Sequence, residues 1–507
     1  MRKTIFFALL IFALPCGVNA QSDDFNAVKS TDIYFSILRE LSLYYVDSVQ
    51  IGKLVDASIH AMLEQLDPYT EYVPEEDSDA FDFVITGRYG GIGAIIRKIE
   101  GGIQITDPYQ GYPADKAGLV AGDCILEIDG QPLHAIDVQT ASNRLKGVAG
   151  STLALKVRKL KTGDTLDLRL AREHIRISDV HYHCLLQDSI GYICLNSFTK
   201  DGSRDFIKTF QALKKTGKMR SLILDLRSNG GGSLDEAVNV VGAFVPRGTV
   251  VVEARGRLKD FEAKYVTREN PLDTAIPITV LVNNMSASSS EIVAGALQDL
   301  DRAVIVGTRT FGKGLVQSVR DLGYNAKLKI TTAKYYTPSG RCVQIVDYSH
   351  RREDGSVGTI PDSLIQAFKT RNGRTVYDGG GITPDVAAEL PGYHKISYSV
   401  AARDLLRAYA LTYFVAHDAI APPETFRLAD AEYDDFVQYL IDKDFNEQPD
   451  DFAQFKPELK KLLEEEICTL YYYKQGRLRN ELPRDEQVNK AIDVLSDQTA
   501  YRKILAN

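Results

Sequence analysis

The sequence predicts a multidomain α/β protein: an α/β core with a central sheet, a small β-rich domain ahead of it, and helical regions at both ends. Three observations carry this. Residues 173–395 alternate strand-like apolar runs with segments of helical period. Residues 83–172 break into short β-rich runs separated by glycine turns. Residues 25–82 and 396–507 instead space their apolar residues by three and four. At 507 residues the chain exceeds what one core accommodates, and 44% hydrophobic with 25% charged residues is the composition of a folded protein.

Residues 1–20 read as a secretory signal rather than part of the fold. Arg2 and Lys3 precede the apolar stretch IFFALLIFALPCGV, and the small residues Val18 and Ala20 then prepare a cut before Gln21. Pro15 makes Cys16 a poor lipidation site. No later run approaches the ~18 apolar residues of a membrane span. Removal of the leader takes the formal charge from −8 to −10, and an acidic chain without a basic block is a poor partner for nucleic acid. Five cysteines follow the leader (Cys124, Cys184, Cys194, Cys342 and Cys468). An odd number with no C-x-x-C excludes a disulfide scaffold and a zinc ribbon. His181 and His183 are the only close histidine pair, with no third ligand nearby, so no metal and no cofactor is expected.

Region by region, ILRELSLYYV and LVDASIHAMLEQL predict helices within 25–82, ended by Asp67-Pro68. Within 83–172 the runs GAIIRK, GIQITD, CILEIDG and TLALKVRK predict strands, and DVQTASNRLK a helix. The loop Tyr89-Gly90-Gly91-Ile92-Gly93, the segment ADKAGL (114–119) and the strand opened by Gly122-Asp123 occur in the order that resembles a PDZ domain. Backbone N–H groups in such a loop can hold a carboxylate, and the following strand edge can pair with an extended peptide. Such a fold can also bind nothing. In 173–395, SIGYICLNSF, SLILDLR, PITVLVN, AVIVG and LKITTAKYYT predict strands; DEAVNVVGAFV and SEIVAGALQDL predict helices. Residues 396–507 read as a charged helical appendage or an oligomer contact.

Residues 307–314, GTRTFGKG, match the core of a phosphate-binding loop, with LILDLR as a metal-holding strand. However, Gly314 rather than Ser or Thr follows Lys313, and LVQSVRDL reads as a strand, so nucleotide binding is disfavoured. A lysine packed among glycines would be desolvated, which favours the neutral amine and suits it to act as a general base. Its natural partner is a hydroxyl, and VLVNNMSASSSEIVAGAL (280–297) places serines where a strand gives way to a helix N-terminus. Free N–H groups there favour developing negative charge. Taken alone, these serines read more readily as helix caps than as a nucleophile. The turn DLRSNGGG (225–232) could add further N–H groups to the same cleft.

Taken together, the PDZ block, DLRSNGGG, SASSSEIVAGALQD, GTRTFGKGLVQ, TTAKYYTPSGR and DGGGITPDV resemble, in order, the carboxyl-terminal processing, or tail-specific, proteases over about residues 25–395. These are serine peptidases with an inserted PDZ domain and a Ser–Lys pair. The resemblance implies domains at 25–82 (helical), 83–172 (PDZ), 173–395 (peptidase) and 396–507 (helical). It implies Ser288 as nucleophile, Lys313 as general base and Gln317 as the residue positioning the lysine; four residues along a strand would keep Lys313 and Gln317 on one face. The oxyanion donors would be the N–H of Ser289 and, by alignment, of Gly231, with Gly230 the second choice. The family often has Ala at Ser289 and Pro at Gly230. Tyr89, Gly90, Gly91, Ile92 and Gly93 would hold the tail of a protein or peptide with an exposed nonpolar C-terminus. A periplasmic location, assembly through the helical termini into a homodimer or larger oligomer, and a PDZ domain that gates the cleft are further implications. The alternative is a catalytically inactive PDZ-bearing scaffold.

Overall fold

The computed structural model describes residues 19–389, 392–445 and 449–506, so nearly all of the expected leader lies outside the described residues. The chain divides into two units at Tyr72. The first holds the helices Asn19–Tyr44 and Ile51–Glu64. Its large apolar residues are mostly exposed, Phe25 at 69%, Phe35 at 63% and Tyr44 at 76% among them. The Asp67 carboxylate accepts from the N–H of Tyr69 and Thr70, making the turn that the Asp-Pro pair predicts.

The second unit begins with a short helix, Ser78–Thr86, closed by Gly87 in the left-handed region. A five-stranded antiparallel path follows, Ala94–Ile99, Gly102–Pro108, Cys124–Ile128, Thr152–Arg158 and Thr165–Ala171, with the helix Val138–Leu145 against it. Ile103, Ile125, Leu155 and Val157 form its core. The strand Arg88–Gly91, which contains the first part of the glycine loop, pairs with Glu173–Arg176 and so ties the entry and exit of this domain together.

The α/β region that follows has a six-stranded sheet in the order Val180–Leu186, Ile190–Leu195, Ser221–Asp225, Ile278–Val282, Val304–Gly307, Val386–Ala387, parallel after the first pair. Parallel strands carry helices on both faces, so both sets of alternate residues must be apolar. Leu222, Leu224, Val280 and Ile305 face a cluster with Phe206, Phe210, Val240 and Ile292 from the helices Gly202–Lys215, Leu234–Gly242 and Ser289–Asp299. Ile223, Leu281, Val304 and Val306 face the other way, against Val488, Ala491, Leu495 and Tyr501. The helices Glu486–Ser496 and Gln498–Ala506 therefore form the second layer on this sheet and are more than an appendage.

The preceding helices, from Lys395–Ala402 to Lys456–Glu481, build a separate apolar cluster that takes in Ala121 of the β-rich domain. Arg407 donates to the Thr106 carbonyl at 2.7 Å, Tyr473 donates to Asp115 at 2.7 Å, and Arg97 pairs with Asp404. The β-rich domain is thus pinned from behind. One antiparallel hairpin, Leu315–Asp321 with Lys327–Tyr336, completes the frame around the site. All five cysteines after the leader are free thiols.

Candidate active site

Strand register decides where the site lies. Asp225 pairs with Leu281 and Val282 with Gly307, so three neighbouring parallel strands end together. Their carboxyl ends deliver the glycine turn 226–232, the serine segment 283–288 and the lysine loop 308–314 to one edge, the usual place for a site in such sheets.

Four serines crowd the helix N-terminus, and three of them staple it to the glycine turn. Ser286 Oγ donates to the Leu226 carbonyl (2.8 Å), Ser289 Oγ to that of Gly232 (2.9 Å) and Ser290 Oγ to that of Asn229 (2.8 Å). Ser288 differs: its hydroxyl makes no capping bond to its own helix. Its backbone stands at φ 55°, ψ −115°, a conformation non-glycine residues adopt only when their surroundings impose it. The half-buried Ser288 is therefore the serine not spent on capping.

The imposing group is Glu291, which the motif reading left unassigned. It is fully buried, and its carboxylate accepts four hydrogen bonds. Oε1 takes the Thr310 hydroxyl (2.6 Å) and the Gly312 N–H (2.7 Å); Oε2 takes the N–H of Ser288 and of Lys313, each at 2.9 Å. One oxygen thus holds the backbones of Ser288 and Lys313 within roughly twice that distance of each other. Burial pushes the Glu291 acid up to about 7 against the pull of its four donors. Ser288-x-x-Glu291 is the spacing of a capping box, which is the signal that could have found it. Here only the glutamate half of that motif is made.

The glycine turn is braced from two sides. Asn229, fully buried, donates to the Leu195 carbonyl (2.7 Å), and its own carbonyl accepts from the N–H of Ala287 (3.0 Å). Arg227 bridges Asp225 (2.6 Å) and Asp485 (2.8 Å) and donates to Gln487 (3.0 Å). Burial opposes its charge, but the two carboxylates more than offset this and hold it protonated.

Gly231 stands at φ 101°. A methyl group there would lie 2.7 Å from Ser288 Cβ and 2.9 Å from Ser289 N, so only glycine lets the turn close on Ser288. Its N–H donates to Asn229 Oδ1 at 2.9 Å, so this expected oxyanion donor already has an acceptor. At Gly230 the same position opens into free space.

The alternation argument for Gln317 does not hold. Lys313 precedes the strand that starts at Leu315, and a register shift separates Val316 from Gln317. Gln317 Nε2 donates to Thr331 Oγ1 at 3.1 Å. From the neighbouring strand Tyr335, fully buried, donates to the Ser288 carbonyl at 3.2 Å.

Known proteins resemble this chain over most of its length. The PDZ domain profile matches residues 104–159, that of peptidase family S41 residues 189–349, and that of the probable PDZ-protease C-terminal helical domain residues 396–449 and 446–495. A carboxy-terminal-processing protease of Bartonella bacilliformis is 35% identical over 374 residues, 72% of this chain and 83% of that one. A probable CtpA-like serine protease of Staphylococcus aureus is 30% identical over 75% of this chain and 68% of its own. Among solved structures, the photosystem II D1 C-terminal processing protease is 27% identical, covering 70% of this chain and 92% of that one, with a TM-score of 0.37. Similarity on this scale, with the three profiles matched along one chain, makes this protein a PDZ-containing serine protease of family S41, in the carboxy-terminal-processing group.

Proposed function

We propose that this chain is an exported Ser–Lys endopeptidase, acting in a periplasm, that cleaves proteins whose nonpolar C-terminal tails its PDZ domain has captured. The observation that carries the chemistry is the single buried carboxylate of Glu291, which gathers the backbones of Ser288, Gly312 and Lys313. Ser288 Oγ attacks the peptide carbonyl carbon. Lys313, as the neutral amine, takes the hydroxyl proton and passes it to the departing amine, and water then releases the acyl group. The Ser289 N–H and the glycine turn stabilise the oxyanion, with Gly231 exchanging Asn229 Oδ1 for the substrate oxygen. Gln317 positions the lysine loop from the adjoining strand. No cofactor or metal enters these steps.

Tail capture is supported by the groove of about 270 Å³ between Ala94–Ile99 and Val138–Leu145. The Ile92 and Gly93 carbonyls accept from Ala114 and Tyr109, each at 2.8 Å. In trans peptide planes this turns the N–H groups of Gly93 and Ala94 to the opposite side, free to receive a carboxylate. The exposed apolar surface of Asn19–Tyr44 favours self-association, which sedimentation across a concentration series would detect.

The test of function uses an unfolded protein with a free apolar tail and a matched one with an amidated polar tail, read by mass spectrometry. The parent cleaves the first preferentially, and Ser288→Ala and Lys313→Ala cleave neither. Cleavage by Ser288→Ala at the parent rate would refute the assignment.

A further inference from the structure

One wall of the tail groove comes from outside the sheet and helix of the β-rich fold. Phe83 lines the groove together with Tyr89, Ile92, Ile96 and Leu145, yet it comes from the helix Ser78–Thr86, which precedes the first strand of that fold and crosses the expected boundary at residue 83. Its ring meets that of Tyr89 edge-on, with centroids 5.0 Å apart and planes at 82°. The Lys146 ammonium stands 5.9 Å from the Phe83 ring and 5.8 Å from that of Tyr89.

These partners fix which end of the groove Phe83 occupies. Tyr89 opens the glycine loop, Lys146 ends the groove helix, and the Gly147 N–H donates to the Gly90 carbonyl at 3.0 Å, joining the two. Phe83 therefore sits at the closed end. A tail paired to Ala94–Ile99 would place its last side chain there, with its carboxylate within reach of the loop N–H groups and the Lys146 charge.

The helix that carries the ring is also held from the peptidase side. On the same helix Asp82 pairs with Lys327, which lies 5.7 Å from the Phe81 ring, and just before it Glu75 accepts from Asn325 at 3.0 Å. Gly87, which ends the helix, donates to the Phe83 carbonyl at 2.7 Å and packs on Thr199. An aromatic wall anchored on a neighbouring domain cannot simply swing aside for a larger guest.

We propose that Phe83 is a specificity-determining residue: it limits the terminal side chain of a captured tail to small apolar groups, Ala or Val rather than Leu or Phe. The inference rests on the tail-capture reading above. The difference of a few carbons at a tight apolar wall is worth about tenfold or more in affinity.

The test measures binding to full-length protein in a Ser288→Ala background, which prevents cleavage. Labelled peptides share one body and end in Ala, Val, Leu or Phe with a free carboxylate. The parent background binds the Ala and Val peptides about tenfold more tightly than the Phe peptide. Phe83→Ala tightens the Phe peptide by about the same factor while leaving the Ala peptide nearly unchanged. Phe83→Leu, the conservative variant that guards against misfolding, falls between. Asp82→Asn, which frees the anchor without touching the groove, relaxes the ranking in the same direction. An unaltered ranking in both Phe83 variants overturns the proposal and leaves tail capture standing. Failure of every peptide to bind the parent background overturns tail capture and the proposal with it.

Discussion

Replacing Glu291 by Gln exchanges one carboxylate oxygen for an NH2 group in a fully buried site ringed by four donors. Two orientations are open to the amide. With its nitrogen toward Ser288 and Lys313, two backbone N–H groups lose their acceptor. With its nitrogen toward Thr310 and Gly312, the Thr310 hydroxyl can turn to accept, and only the Gly312 N–H is orphaned. An unsatisfied buried donor costs about 1–3 kcal/mol, so the amide settles in the second orientation and the variant loses roughly that much stability. The lysine loop is then no longer tied to the Ser288 backbone through a shared carboxylate. If about 1.4–2.8 kcal/mol of that loss falls on the reacting geometry, kcat drops about ten- to a hundredfold. KM stays near the parent value, because no substrate contact has changed. Urea unfolding and steady-state kinetics on one peptide read the two quantities separately. A variant with parent stability and kcat within about twofold would refute the claim that this carboxylate assembles the site.

Three further outcomes follow from the same geometry. The folded-state acid of Glu291 lies above its ordinary value, at about 7, so the parent's stability relative to Glu291→Gln is greatest below about pH 4.5 and declines by up to about 3 kcal/mol as pH rises to about 7; urea titrations at pH 5 and pH 8 check the sign, and a rise would refute it. Gly231→Ala places a methyl group 2.7 Å from Ser288 Cβ and should cost about a hundredfold in kcat or more, with native circular dichroism retained. Arg227→Leu leaves Asp225 and Asp485 buried without their cation and should destabilise the protein by about 3–5 kcal/mol, which thermal unfolding measures.

How much of this was legible in the sequence depended on whether a signal was local. The runs SLILDLR, PITVLVN and AVIVG announced buried parallel strands because both faces of each must be apolar. The edge that gathers Ser288, Gly231 and Lys313 followed from motifs at the ends of those runs. Glu291 was hidden because a glutamate three residues after a helix-opening serine has an ordinary explanation as a cap. The expectation for Gln317 came from the resemblance; the alternation offered in its support is interrupted by the bulge before it and the late start of its strand. The brace on the glycine turn could not be read at all, since Arg227 meets Gln487 across 260 residues of chain. Phe83 was missed for a similar reason: it contributes to a groove whose own domain signature begins after it.

That long-range brace bears on when the fold can be completed. Ser288 and Lys313 are made well before Asp485 and Gln487, the residues that hold Arg227 in the turn beside Ser288. Asp485 caps and Gln487 belongs to the first of the two helices that cover Ile223, Leu281 and Val304 on the far face of the sheet. The layer that backs the strands beneath Ser288 and Gly231 is therefore completed only when residues 486–506 have been made, so the two faces of one sheet are assembled from opposite ends of the peptidase sequence.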